Sequence, residues 1–95
     1  MITKDGDYFI VDPPQEMVMR TIEPFFDELK SGLVEHEGIF VNLIGVTEID
    51  TAGFQLLVSL KKEMILQGKR FTIVGMSAEV DEIFSLYGAQ SFFEE

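Results

Sequence analysis

The sequence predicts a small single α/β domain: a mixed β-sheet with an N-terminal antiparallel hairpin strand and helices packed against it. Three observations carry this. A chain of 95 residues with 46% hydrophobic content can bury one core but hardly two. Two apolar, β-branched stretches, IFVNLI at 39–44 and FTIVG at 71–75, flank a segment of helical periodicity. Near the start, ITKDGDYFIVD places Asp5-Gly6 between two short extended runs. Asp-Gly is a strong signal for a two-residue hairpin because glycine accepts positive φ at little cost.

After the hairpin, Pro13 and Pro14 stop the second strand, since proline lacks the N–H that a ladder needs. The segment QEMVMRTIEPFFDELKSGL then carries Ile22, Phe25, Phe26, Leu29 and Leu33 at helical spacing. Its start is open: either the helix begins near Thr21 as N-cap, with Pro24 in its first turn, or an earlier helix is bent at Pro24. In the next helix, about 52 to 67, Gly53, Leu56, Leu57, Leu60 and Met64 fall on one face and Gly68 follows as C-terminal cap. Ser77 is an N-cap for a last helix in which Val80, Ile83, Phe84 and Tyr87 recur at three and four residues before Gly88. Strand, helix and strand over 39 to 75 form a βαβ unit, which implies parallel strands and a right-handed crossover. The helix before it serves as the preceding crossover. No repeat, linker or low-complexity tract interrupts the 95 residues, so one domain is expected over 1–95.

Charge and composition exclude several classes of function. Seven Lys and Arg against 17 Asp and Glu leave a net charge of -10, which repels nucleic acid and anionic membrane surfaces. With no cysteine there is no disulfide, thiol nucleophile or thiolate metal site. The start MITKDGDYF lacks a signal peptide's apolar core, and no apolar run approaches the roughly 20 residues of a membrane helix, so a cytoplasmic protein without membrane insertion is expected. The one histidine, His36, stands in the charged connection VEHEG and reads as a solvated loop residue with no partner for metal or triad chemistry. GVTEIDTAGF has two glycines and a threonine but no lysine, so it is no P-loop. A receiver domain could use Asp12 or Asp50 at a strand end, but it needs an acidic pair for magnesium where this chain has VDPP, and one more βα unit. Nothing supports catalysis, and no metal or cofactor is expected.

What remains is EIDTAGF at 48–54, where a carboxylate, a hydroxyl and a glycine stand between a buried strand and a buried helix. Asp50 at the helix start can accept hydrogen bonds from first-turn N–H groups, a stabilisation of about 1 kcal/mol. Thr51 is on its own chemistry a helix-start hydroxyl that caps. Gly53 allows close approach of a strand or of a partner's backbone. Phe54 and Val58 lie one turn apart and somewhat off the apolar face, so they are expected either to border a partner surface or to complete the core.

From Ile39 to Phe93 the chain resembles the STAS domains of anti-sigma factor antagonists. The likeness lies in an ordered set: IFVNLIGV, then Asp50-Thr51-Ala52-Gly53 where the family carries Asp-Ser-Ala-Gly or Asp-Ser-Ser-Gly, then Gly68, then Phe71 to Gly75, then Ser77 to Phe93. Before the first helix the family commonly has a Gly-Glu-x-Asp turn, and this chain has Pro13-Pro14-Gln15-Glu16. The resemblance implies a non-enzymatic protein-binding regulatory module with Thr51 at the phosphorylatable position, usually serine. It implies a partner-binding surface around Asp50, Thr51, Ala52, Gly53, Phe54 and Val58, and as partner an anti-sigma factor or serine/threonine kinase-like ATPase. The alternative it carries is an unphosphorylated accessory subunit bound to the ATPase of a membrane lipid transporter. A phosphate on Thr51 would lie where helix N–H groups favour an anion, so it would change the surface rather than unfold the helix.

Overall fold

The computed structural model describes residues 2–5, 8–33 and 37–94. Gly6 of the expected turn and His36 of the charged connection lie outside the described residues. The order of elements is β1 (Ile2–Asp5), β2 (Tyr8–Val11), β3 (Glu16–Met17), α1 (Met19–Leu33), β4 (Gly38–Leu43), β5 (Glu48–Ile49), α2 (Thr51–Leu66), β6 (Arg70–Met76), α3 (Ala78–Leu86) and α4 (Gln90–Glu94).

Four strands form one sheet in the order β1-β2-β4-β6. β1 runs antiparallel to β2, and beyond that first pairing every ladder is parallel, β2 with β4 and β4 with β6. Parallel neighbours need crossovers, which α1 and α2 supply, as the spacing of apolar residues predicts. Period-two alternation sets the core face: Ile39, Val41 and Leu43 of β4 are buried, while Phe40 and Asn42 between them are half-buried. Phe9 and Val11 of β2 stand in register with Ile39 and Val41, and all join one cluster with Phe25 and Leu29 of α1 and Leu56, Leu57, Leu60 and Met64 of α2.

The two candidate starts of the first helix are resolved in favour of the earlier one. The Val18 carbonyl accepts from the N–H of Thr21 at 2.9 Å and of Ile22 at 3.0 Å, so α1 begins at Met19 and Pro24 sits inside it. Thr21 is not the cap; its hydroxyl accepts from the Val18 N–H at 3.1 Å and lies 2.6 Å from the Glu16 carbonyl it donates to. The second helix spans 51–66 rather than 52–67, with Gly68 at φ +70 just past its C-cap, Gln67.

A second, two-stranded sheet pairs β3 with β5 in parallel. Strands of two residues are too short for any sequence period to reveal. The Gln15 carbonyl accepts from the N–H groups of Thr47 at 2.8 Å and Glu48 at 3.2 Å, and the Met17 carbonyl accepts from the Asp50 N–H at 3.2 Å. The residues leading into α2 are thereby tied to those leading into α1, and the two helices start side by side.

Candidate partner-binding site at the start of α2

Asp50 is the N-cap of α2, with extended backbone (φ -111, ψ -174). Its Oδ1 accepts from the Gly53 N–H at 3.0 Å, as local sequence predicts. Its Oδ2 accepts from the N–H of Met19, the first residue of α1, also at 3.0 Å. One carboxylate therefore satisfies first-turn donors of two helices, where both macrodipoles favour negative charge. Burial pushes the Asp50 carboxyl up, but the N–H groups of Gly53, Met19, Ala52 and Asp50 itself outweigh it and hold it below its ordinary value of 3.8. Asp12, the other aspartate at a strand end, accepts from the Asn42 side-chain amide at 3.1 Å.

With Asp50 capping, Thr51 is released from that duty. Its side chain is exposed and its hydroxyl lies 2.9 Å from the phenolic oxygen of Tyr87, the C-cap of α3. Tyr87 stacks on Phe54, with centroids 4.7 Å apart and planes at 24°. Phe54 in turn presents edges to Phe84 at 5.8 Å and Phe93 at 6.3 Å. Phe54 and Val58 are both half-buried and pack against the core, so each helps complete it while keeping part of its surface open. Ala52 is half-buried too.

Gly53 is buried, and the reason is steric. A Cβ there would lie 2.1 Å from the Met17 carbonyl oxygen, so it is the strand β3 that needs the close approach. Its side of the helix faces inward, against Met17. Around the site, Met19 and Leu86 are each 77% exposed and Tyr87 is 48% exposed. The sequence alone does not reveal Met19 as a partner of Asp50 or Tyr87 as a partner of Thr51. Tyr87 was visible only as one member of the apolar repeat of α3, and nothing local marks Met19.

The profile of the STAS domain matches residues 1–94. The chain belongs to the STAS domain family. No curated protein sequence matches it. Among solved structures it is similar to the anti-sigma factor antagonist SpoIIAA in its unphosphorylated form, with a TM-score of 0.81 at 14% identity over 96% of this chain and 82% of that one. At that identity the likeness is one of fold. Within the STAS fold, Asp50 to Phe54 occupy the junction where β5 passes into α2 beside the start of α1. No helix among the described residues is long and apolar enough to cross a membrane, and no group of acidic or histidine side chains among them could hold a metal ion.

Proposed function

We propose that this STAS domain is a non-enzymatic regulatory module that docks through the start of α2 onto a kinase-like ATPase of the anti-sigma factor type, and that phosphorylation of Thr51 breaks the complex. The observation that carries this reading is an exposed Thr51 hydroxyl at a helix start whose capping is already done by Asp50. Such a hydroxyl can be modified without loss of the helix it stands on. A phosphate adds about -1.5 to -2 charges and a tetrahedral group, enough to displace a partner packed over Thr51, Ala52 and Phe54. Exposed Met19, whose N–H meets Asp50, and exposed Leu86, next to Tyr87 in the chain, supply apolar area for the same contact.

Intact mass spectrometry of the protein incubated with ATP and the kinase-like ATPase encoded beside its gene tests the reading. One added phosphate, lost in Thr51→Ala, is the expected result. Thr51→Ala should retain binding and Thr51→Glu weaken it, the latter only in part because one carboxylate is a poor substitute for a dianion. A stable complex that is never modified, with equal binding by both variants, would overturn the switch and favour an accessory subunit of a transport ATPase.

A further inference from the structure

We propose that Tyr87 reads the state of Thr51: in the unmodified chain it clasps the end of α3 onto the start of α2, and a phosphate on Thr51 opens the clasp. The inference rests on Thr51 being the modified residue. Two contacts make the clasp, the hydroxyl pair at 2.9 Å and the ring stack on Phe54 at 4.7 Å. Both are made by a side chain that is 48% exposed, so little core packing holds it in place. Thr51 and Tyr87 are 36 residues apart, and a change at the first reaches the second without passing through the sheet.

Phosphoryl transfer from a nucleoside triphosphate forms the bond from Oγ1 to phosphorus, breaks the bond to the bridging oxygen of the diphosphate, and releases the hydroxyl proton. The ester oxygen then has no proton to donate and is a poor acceptor, while the three terminal oxygens are strong ones. At 2.9 Å from Oγ1, the Tyr87 oxygen is within reach of those terminal oxygens, and its phenol proton is donated to one of them. Following them moves the phenol off the Phe54 ring. The motion is one of the side chain alone: the N–H groups of Tyr87, Gly88 and Ala89 are held by the carbonyls of Ile83, Ser85 and Phe84, so the turn before α4 stays in place. Phe54 keeps its edge contacts with Phe84 and Phe93, and the core stays closed. The surface a partner meets thus changes at two elements at once, at Thr51 and at the exposed Leu86-Tyr87 turn.

The test needs no kinase. The 95-residue chain can be synthesised with phosphothreonine at position 51, joining 1–51 to 52–95 through a cysteine that is then desulfurised to the native Ala52. NMR of the modified and unmodified chains is compared through nuclear Overhauser contacts between the Tyr87 and Phe54 rings. They should be strong in the unmodified chain and lost in the phosphorylated one, with amide shifts at residues 86–88. Tyr87→Phe keeps an apolar ring but has no phenol proton to donate, so its ring contacts should persist with and without phosphate. Retained contacts in phosphorylated native chain, with shifts confined to 49–54, would overturn the clasp, as would equal loss in Tyr87→Phe. Because the phosphate is installed chemically, the outcome is independent of whether the kinase-like ATPase modifies Thr51, which the mass-spectrometric experiment decides by itself.

Discussion

The two ends of α2 are built for opposite purposes. At its start the polar groups lie near the surface: Asp50 shares its carboxylate between α2 and α1, and Thr51 reaches Tyr87 through one exposed hydrogen bond. Toward its end Lys61 is only 2% exposed, donates to the Phe92 carbonyl of α4, and lies 4.9 Å from the Phe92 ring and 5.8 Å from that of Phe93. A buried ammonium must keep its partners, because leaving it without them costs several kcal/mol. An exposed hydroxyl loses little by exchanging one partner for water or a protein. The same helix therefore has an anchored end that holds α4 and an exchangeable end that a partner or a modification can alter.

The sharpest break of this contrast is at the anchored end. Lys61→Ala removes a buried stem and leaves the Phe92 carbonyl without its donor, and a loss of about 3 kcal/mol is expected in chemical denaturation. Lys61→Met, which fills the space without the charge, should recover a large part of that.

Gly53→Ala comes next, because its Cβ would lie 2.1 Å from a backbone oxygen that cannot rotate away. A cost of about 2 to 3 kcal/mol is expected, at the upper end of overpacking, together with weakened pairing of β3 and β5 seen in amide exchange.

Asp50→Ala removes caps from two helices, so about 2 kcal/mol is expected where a single cap contributes about 1. Its pH dependence has a definite sign. The folded carboxyl titrates below its ordinary 3.8, so its contribution is fully present above that value and is lost as pH falls through the folded pKa. The stability gap between the native chain and Asp50→Ala should be constant near neutrality and narrow below pH 3.8. A gap independent of pH would mean that the carboxylate charge plays no part in capping.

Thr51→Ala should have the smallest effect on folding, about 1 kcal/mol or less, since it loses one exposed hydrogen bond and no cap. A loss as large as that of Asp50→Ala would place Thr51 among the anchored residues and remove the contrast.

Part of this contrast is legible in the amino-acid sequence, and the division follows from range along the chain. Periodicity and punctuation between 39 and 88 locate the strand–helix–strand unit, the Asp50 and Ser77 caps and the turns at Gly68 and Gly88, because each depends on residues within about one helical turn. Ser77 does accept from the Val80 N–H at 3.2 Å, a bond between near neighbours. The start of α1 was not legible, since Thr21 and Pro24 argue locally for a later one while Val18 accepts the first bonds. Four features needed the packed chain: the second hydrogen bond of Asp50, to Met19; the carbonyl of Met17 against Gly53; the oxygen of Tyr87 beside Thr51; and the carbonyl of Phe92 over Lys61. Each joins residues 31 to 36 positions apart. Local patterning records which face of an element is apolar, not which distant element comes to rest against it, and the residues that set the behaviour of both ends of α2 are of that distant kind.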